Sequence, residues 1–474
     1  MDISPNLDEA AKEPLYIQLY QYIKEEIQTG RIPSSTRLPS IRQLAHFLHI
    51  SKTTIQVAYQ QLLAEGYIES KERSGFYVVD MASESFEHPP ASYSSPSPNR
   101  DSNRKPKPIR YDFYMSKIDV DHFPYDKWRM CSNQSMNLEQ KQLLSYGDRQ
   151  GEIGLRRALS QYLRQARAVN CSEEQLVIGA GTQTMIRLLC QLIGLDGNPI
   201  AMEEPGYHGV RTMFQQLGFS IKPIPLEEDG IAIDELVRSK AKVVYITPSH
   251  QYPLGMVMPI AKRMKLLHWA EENGSLIIED DYDGEFRYHG RPIPSLQGLD
   301  AHGNVVYIGT FSKSLMPAIR ISYMVLPERL LNVYHKNLLT NDQTASRLHQ
   351  NTLQLFMESG EWERHIRRMR KVYQKKHDVL LQTIKNVMQG NVTITGQDAG
   401  LHIVMKVHSG IHVEELVKIA EESGVKVYST ANDWCSCPKE YPPLILLGFG
   451  GLSLQEIVQG IERLHAAWLP FYTS

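Results

Sequence analysis

The chain has 474 residues, of which 42% are hydrophobic and 22% are charged, with a formal net charge of −2. This length fits about three domains, or one large α/β domain with a smaller unit attached. A balance so close to neutral provides no overall field that would draw the protein onto nucleic acid or a membrane, so net charge identifies no partner.

The cysteines and the first residues indicate a cytoplasmic protein. The five cysteines are odd in number and scattered, which is typical of reduced thiols rather than of a disulfide framework. Cys435 and Cys437 form a C-x-C pair without a second pair at metal spacing, so no metal site is predicted. The start, MDISPNLDEA, is acidic where a signal peptide would be basic, and no stretch reaches the roughly 18 to 20 apolar residues that span a bilayer.

Residues 1–80 form the first predicted domain, which begins with three helices. An apolar residue recurs every fourth position from Leu15 to Ile27, as on one face of a helix. Ser40 and Ser51 are candidate N-caps for a second and a third helix, and a glycine follows the third. Two helices joined by so short a turn predict a helix-turn-helix.

The segment YIESKERSGFYVV alternates into two short strands around a Ser74–Gly75 turn, which predicts a β-wing. A helix is narrow enough to enter the major groove, and the third helix begins with short donors and cations. The predicted DNA contacts are Ser51, Lys52, Thr53, Thr54 and Gln56 on this helix, Arg37 and Arg42 on flanking phosphates, and Lys71, Arg73 and Gly75 in the wing.

Charge gives this prediction no support, because residues 1–80 contain eight Lys or Arg against ten Asp or Glu. A helical hairpin with polar faces also serves as a protein-interaction module. However, LPSIRQLAHFLHISKTTIQVAYQQLLAEGYIESKERSGFYV resembles the winged helix-turn-helix of GntR-type bacterial regulators along its whole length. The resemblance implies DNA binding as a dimer through Arg37, Arg42, Lys52, Thr53, Thr54, Gln56 and Gly75. Lys52 and Gln56 depart from arginines that are common in this group.

A linker is predicted from residue 81 to residue 108, where the chain is polar and rich in Pro and Ser. It would span roughly 30 Å as a random coil and about 90 Å if stretched, so the domains on either side need not touch.

Residues 109–474 form the second predicted domain. From residue 150 onward, helical segments alternate with short apolar runs: LVIGAGT, PIAMEEPGY, KVVYITPSH, SLIIEDDYD and NVVYIGTFSK. Such alternation predicts a mostly parallel sheet with helices on both faces. Ligands of such sheets bind outside the carboxyl ends of the strands, which is where each of these runs becomes polar. The five strand ends are therefore expected to form one site.

Two of these strand ends offer groups for a flat, phosphorylated ligand. In GAGTQTM, Gly181, Thr182 and Gln183 stand at a strand-to-helix turn, where free backbone N–H groups and the positive helix end can hold a phosphate. Tight turns of this kind use glycine in any case. Tyr207 of EEPGY is available to stack on a ring, although a tyrosine there also fits an ordinary rim or core position.

The run IIEDDYD supplies an acid and a phenol. Side chains alternate along a strand, so Asp280 and Tyr282 face one side and Asp281 the other. Asp280 is placed to keep a pyridine nitrogen protonated, and Tyr282 to reach a phenolate oxygen beside it. Taken alone, an acidic strand end is more often a metal site or a helix cap.

Lys313 in GTFSKSLMPAIR completes the constellation. Taken alone, it is an ordinary surface lysine after a strand. A partly desolvated lysine, however, readily forms a Schiff base with an aldehyde cofactor. Thr310, Ser312 and Arg320 would add hydroxyl and guanidinium contacts to a phosphate. Together these groups predict a pyridoxal 5′-phosphate site.

The residues from about 110 to 470 resemble a fold type I aminotransferase. The motifs TPSHQYPLG, EEPGY, IIEDDYDGEF and GTFSKSLMPAIRISY are similar to those of the MocR/GabR family, in which a GntR-type headpiece is joined to such a domain. The resemblance implies an α/β protein with an N-terminal winged helix-turn-helix, a long linker and an aminotransferase-like domain. It also implies a head-to-tail homodimer with pyridoxal phosphate on Lys313, Asp280 at the ring nitrogen and Tyr282 at the ring hydroxyl.

A transaminase must hold its substrate's carboxylate, normally with an arginine near the last sheet strand. Here Leu446 stands at about that place, and the sequence after EEPGY has no arginine before Arg211. A neutral pocket binds a carboxylate poorly. We therefore predict a transcriptional regulator without a catalytic residue set, and the alternative is a working aminotransferase with a DNA-binding appendage. Its effector is predicted to be pyridoxal phosphate itself, as in the vitamin B6 regulators called PdxR, or an amine or amino acid that reacts with the Schiff base.

Overall fold

The computed structural model describes residues 5, 7–8, 11, 13–71, 74–80, 108–194, 197–288, 293–337, 342–436 and 442–472. Contacts divide the chain into two compact units, residues 1–103 and residues 104–474, and each unit is described by itself. The predicted linker lies outside the described residues except for Pro108. None of the helices that the structure describes is both long and apolar enough to cross a membrane.

The first unit contains the three predicted helices: α1 (Leu15–Gln28), α2 (Ile41–Leu48) and α3 (Lys52–Ala64). The apolar stripe of α1 packs on α3. Leu19 and Ile23 of α1 and Ile55 of α3 are fully buried in the same hydrophobic cluster. Ser40 caps α2 in a reciprocal pair with Gln43, and Ser51 caps α3 by accepting the backbone N–H of Thr54. The helix-turn-helix is therefore confirmed.

The wing is an antiparallel pair, β1 (Ile68–Lys71) and β2 (Gly75–Val78), in which Lys71 lies opposite Gly75. The predicted Ser74–Gly75 turn is wrong by one residue, because Gly75 already belongs to β2. The turn closes through the Ser74 N–H, which donates to the carbonyl of Lys71 at 2.9 Å.

The second unit is built on an eight-stranded sheet in the order β4-β11-β10-β9-β8-β5-β6-β7. The five strands from β10 to β6 in this order are parallel, and β4, β11 and β7 are antiparallel to their neighbours. Its strands are β4 (Leu176–Gly179), β5 (Ile200–Glu204), β6 (Ile221–Glu227), β7 (Gly230–Ile231), β8 (Val243–Ile246), β9 (Leu276–Asp281), β10 (Val305–Thr310) and β11 (Ser322–Val325).

Helices cover both faces of this sheet, as predicted. Along β10, Val306 and Ile308 belong to a hydrophobic cluster with helices on one face, whereas Val305 and Tyr307 belong to clusters on the other. The first eight α-helices that the structure describes in the second unit are α4 (Tyr125–Ser135), α5 (Ile153–Arg167), α6 (Thr182–Ile193), α7 (His208–Gln216), α8 (Ile233–Ser239), α9 (Ile260–Asn273), α10 (Glu328–Lys336) and α11 (Arg347–Glu358).

A smaller layer completes the second unit with a four-stranded sheet in the order β12-β13-β16-β15 and a short pair, β3 with β14. Phe113 and Trp468, both fully buried, belong to its core. Its elements are β3 (Tyr111–Asp112), α12 (Glu361–Met388), β12 (Val392–Thr395), β13 (His402–Val407), α13 (Val413–Glu422), β14 (Val425–Lys426), β15 (Tyr428–Ser429), β16 (Leu444–Gly448) and α14 (Leu454–Trp468). The α/β architecture predicted from the alternating runs is thus confirmed.

Candidate functional site

A cavity of about 520 Å³ lies where the strands of the large sheet end and meets the smaller layer. Nine of the ten residues predicted to bind the cofactor line it: Thr182, Gln183, Tyr207, Asp280, Tyr282, Thr310, Ser312, Lys313 and Arg320. The other lining residues are Tyr114, Met115, Ser116, His208, Tyr245, Thr247, Tyr252, Pro317, Tyr428, Ser429, Asn432, Asp433 and Leu446. The predicted convergence of strand ends is therefore present.

Lys313 follows the end of β10 and is a buried amine, with 9% of the residue exposed. Its Nζ donates a hydrogen bond to the backbone carbonyl of Met115. Burial lowers the pKa of the Lys313 amine from 10.5 to about 8, and the carboxylate of Asp283 opposes that shift. The neutral, nucleophilic form of this amine is therefore far more populated near neutral pH than on an ordinary lysine.

Asp280, near the end of β9, presents one carboxylate oxygen without a partner. The Tyr245 hydroxyl donates to Oδ2 at 2.6 Å, whereas the buried Oδ1 has no hydrogen-bond partner among the described residues. Burial raises the pKa of this carboxyl to about 7, and the bond from Tyr245 works in the opposite direction. A buried acceptor left open in a cavity is suited to a ligand that brings its own N–H donor.

Asp281 lies on the opposite face of β9, as the alternation predicts. Its Oδ2 accepts from Nε of Arg167 at 2.8 Å and from the Tyr307 hydroxyl at 2.6 Å, away from the cavity. The two adjacent acids therefore have different structural roles, and Asp280 is the one available to a ligand.

Tyr282 lines the cavity, and its hydroxyl donates to the backbone carbonyl of His250 at 2.9 Å. His250 Nδ1 is 3.0 Å from Oδ2 of Asp283, and the His250 ring centroid lies 4.6 Å from that of His402. No motif in the sequence predicted this buried network behind Tyr282. The histidine within TPSHQYPLG was its only signal, because His402 comes from β13, far along the chain.

Polar groups suited to a phosphate surround the start of α6. Gly181, the N-cap, has a φ of 90° and is the one predicted cofactor residue that does not line the cavity. A Cβ there would lie 2.1 Å from Nη2 of Arg320, so a larger residue would displace that guanidinium, and the positive φ itself favours glycine. The Oγ1 atom of Thr310 lies 3.0 Å from Oγ of Ser312, beside the same region.

Aromatic rings from distant segments form much of the remaining wall. The Tyr207 ring meets that of Tyr252 edge to face, with centroids 5.2 Å apart, and Tyr114 packs against Tyr428 at 5.1 Å. Gly209 leaves room for Tyr207, since a Cβ there would lie 2.8 Å from its ring carbon Cζ. Tyr114 lies in a segment that carries no motif, and the sequence offered no signal for it.

Leu446, in β16, also lines the cavity, and its side chain is apolar and buried. Arg211 points elsewhere, because Nη1 donates to the carbonyl of Asp433 at 2.9 Å and Nη2 to the carbonyl of Asn432 at 2.5 Å. Among the described residues that line the cavity, Arg320 is the only arginine. The described part of this wall therefore lacks the arginine expected of an amino-acid pocket.

The donor set fits pyridoxal 5′-phosphate. The open Oδ1 atom of Asp280 matches a protonated ring nitrogen, and Lys313 is a buried amine of lowered pKa. The backbone N–H groups at the start of a helix have no intrahelical partners, so Thr182 and Gln183 can donate to a phosphate beside Arg320.

The residues predicted to contact DNA lie around the start of α3. Lys52, Thr53 and Gln56 are exposed there, and Arg37 and Arg42 lie on the preceding segment and on α2. The hydroxyls of Ser51 and Thr54 lie 2.8 Å apart and bond to each other. Arg37 lies beside the wing, with Nε 3.5 Å from where a Cβ of Gly75 would be, and Arg73 is outside the described residues.

Comparisons with known proteins agree with both halves of this description. Residues 15–78 match the family model "Bacterial regulatory proteins, gntR family", and residues 116–463 match "Aminotransferase class I and II". The HTH-type transcriptional regulator YhdI of Bacillus subtilis is 41% identical over all of this chain and all of its own length. The probable rhizopine catabolism regulatory protein MocR of Rhizobium meliloti is 31% identical over 99% of this chain and 96% of its own.

Among solved structures, the multiple substrate aminotransferase of Thermococcus profundus superimposes with a TM-score of 0.70 at 24% identity, over 76% of this chain and 91% of its own. That likeness establishes the fold of the second unit. Taken with the regulators that match the full length, it places the chain in the MocR family of HTH-type transcriptional regulators, in which a GntR-type DNA-binding domain precedes an aminotransferase-like domain.

Proposed function

We propose that the protein binds pyridoxal 5′-phosphate on Lys313 and changes its affinity for operator DNA when this site is filled. In this proposal residues 1–80 contact the DNA, residues 81–108 are a flexible linker and residues 109–474 are the sensor. The observation that carries it is the pairing, in one cavity, of the buried Lys313 amine with the unpartnered Oδ1 atom of Asp280.

Pyridoxal phosphate, when bound, supplies an aldehyde that a lysine amine can hold covalently. Lys313 would provide that amine and Asp280 would accept the ring N–H. Tyr282 would face the ring hydroxyl, and Tyr207 would pack on the ring. The phosphate would be held by Thr182, Gln183, Thr310, Ser312 and Arg320, with Gly181 leaving the space that Arg320 occupies.

The sensor role is favoured over catalysis by the wall around Leu446. A transaminase gains specificity and rate from a guanidinium that clamps its substrate's carboxylate. Here that wall offers Leu446, while Arg211 is engaged with two backbone carbonyls. We therefore infer that the domain turns over amino acids slowly or not at all.

Pyridoxal phosphate itself is the preferred signal. The pyridoxine biosynthesis regulator PdxR of Corynebacterium glutamicum is 27% identical over 82% of this chain and 82% of its own length. An amine that enters the filled cavity is the second candidate. In either case the ligand must bind the two DNA-affinity states of the protein with different strength.

The test measures operator affinity of cofactor-free protein on DNA selected from a random pool by the full chain. Adding pyridoxal phosphate is expected to change this affinity by roughly 5- to 100-fold, the usual range of coupling between two sites. Pyridoxine 5′-phosphate is the control, because it has an alcohol in place of the aldehyde. An operator affinity that does not respond to the aldehyde would remove the proposal. Steady turnover of amino donors and keto acids would instead favour the aminotransferase.

We also propose that the protein is a homodimer, which the resemblance implies to be head-to-tail. The segment from Tyr114 to Ile153 exposes apolar side chains, among them Leu138, with 88% of the residue exposed, and Tyr146, with 96%. An apolar surface of this kind on one segment marks an interaction site. A second copy of the chain is the simplest partner to cover it.

Replacing both Leu138 and Tyr146 with glutamate should convert the dimer to a monomer, because two buried charges at an interface cost several kcal/mol. Sedimentation equilibrium measures the mass. Val237→Glu is the control, since Val237 is half exposed on α8, outside this segment. A double variant with the native mass would place the interface elsewhere.

A further inference from the structure

One part of the cavity wall carries a buried carboxylate. The proposed cofactor contacts do not use this part. Asp433 lines the cavity, and only 3% of its side chain is exposed. Its Oδ1 lies 2.7 Å from Nδ1 of His208, and burial together with this carboxylate raises the pKa of the nearby Tyr252 hydroxyl. No motif predicted this acid, which is the last residue of a short 3-10 helix, Ala431–Asp433, that follows β15.

The backbone holds Asp433 in a fixed position. Its carbonyl accepts from the N–H of Gly206 and from Nη1 of Arg211, both at 2.9 Å, and its own N–H donates to the carbonyl of Thr430 at 3.0 Å. Two of these bonds reach the segment that follows β5. The carboxylate is therefore pre-organised by both the large sheet and the smaller layer.

The charges around this wall do not suit a ligand with a carboxylate. Among the described residues, the cations lining the cavity are Lys313 and Arg320, which the cofactor would occupy, and His208, which already pairs with Asp433. Even with His208 protonated, the pair has no net positive charge. An α-amino acid places its carboxylate on the carbon that bears the amine, so it cannot hold that charge far from the reacting nitrogen. A ligand carboxylate close to the carboxylate of Asp433 is strongly unfavourable in a partly buried pocket, because the two negative charges repel each other.

We propose that the cavity recognises a primary amine that has no carboxylate and whose far end is a second ammonium group, with Asp433 as the residue that selects this end. The inference rests on the proposed function, since the first amine approaches the site of Lys313. It narrows the second candidate signal to aliphatic diamines. Asn432 and Ser429, in the same wall, offer further oxygen acceptors to the distal ammonium.

Three amines of equal length test this selection: 1,4-diaminobutane, 4-aminobutan-1-ol and 4-aminobutanoate, which differ only in the far group. Calorimetric titration of the full chain, both loaded with pyridoxal phosphate and cofactor-free, measures their affinities. We expect the diamine to bind about tenfold or more tightly than the amino acid, because opposite and like charges face the same carboxylate. The alcohol should fall between them.

Asp433→Asn keeps the shape of the side chain and removes its charge, so it should abolish the preference for the diamine. Asp378→Asn is the matched control, because Asp378 is an exposed acid on α12. Equal affinities for diamine and amino acid in the native chain, or an undiminished preference in Asp433→Asn, would overturn this inference alone. A chain that does not retain pyridoxal phosphate would overturn the proposed function, while the cofactor-free titrations would still decide the role of Asp433.

Discussion

Lys313→Ala protein is expected to emerge from gel filtration without pyridoxal phosphate, whereas the native chain retains it. The loss of a covalent anchor should weaken retention by about 100-fold or more, equivalent to roughly 3 kcal/mol. The cofactor absorbance and the effect of cofactor on operator affinity should disappear together. Both are measured on the same preparation, by spectroscopy of the eluted protein and by DNA titration.

Lys336→Ala provides the control for this experiment, because Lys336 is an exposed lysine in the last turn of α10. It should retain the cofactor like the native chain. The Lys313→Ala substitution also removes the hydrogen bond to the Met115 carbonyl, so circular dichroism and thermal unfolding must show that the variant remains folded. Retention and DNA response equal to the native protein's would show that another group holds the cofactor.

Asp280→Asn should stabilise the cofactor-free protein and at the same time weaken cofactor binding. The pKa of Asp280 is raised from 3.8 to about 7 by burial, so the folded state carries a penalty for the ionised carboxyl at higher pH. This penalty is absent below about pH 4, grows between about pH 4 and pH 7, and is complete above that range. An amide removes it, with an expected gain on the order of a few kcal/mol at about pH 8.

Thermal unfolding of cofactor-free Asp280→Asn at about pH 8 and at about pH 5 measures this gain, which should be larger at the higher pH. Pyridoxal phosphate should bind the variant roughly 10- to 100-fold more weakly, because a charge-assisted hydrogen bond to its ring nitrogen is lost. Asp121→Asn, in an exposed turn, should change neither quantity. If Asp280→Asn lost stability at the higher pH, the carboxyl would have an unrecognised partner in the folded state.

Local sequence rules predicted the parts of the structure that depend on neighbours along the chain. The periodicity of α1 and the capping serines of α2 and α3 predicted the helix-turn-helix, because short-range hydrogen bonds and one apolar stripe decide these elements. Successive side chains of a strand point to opposite faces, and this alternation in β9 separated Asp280 from Asp281. Ser51 shows the limit of such rules, since its hydroxyl caps α3 and bonds Thr54, and this use leaves it less free for DNA.

Residues that reach the cavity from distant segments were beyond local rules. Met115, whose carbonyl accepts from Lys313, and Asp433, which pairs with His208, come from opposite ends of the second unit. Their positions depend on how the smaller layer packs on the large sheet, and no periodicity within either segment records that packing. His250 lies inside a recognised motif, but its contacts could not be predicted, because its neighbour His402 comes from β13, far along the chain.

The bond from Lys313 to the Met115 carbonyl connects the proposed cofactor position to the first segment of the second unit. Residues 114–116 line the cavity, and β3, just before them, pairs with β14 through Tyr111 and Asp112. If Lys313 bound a cofactor covalently, its nitrogen would have fewer N–H groups to donate to that carbonyl. In the proposed function, binding of the cofactor would therefore weaken one of the contacts that hold residues 114–116, so the start of the second unit is where an occupied cavity is expected to act first.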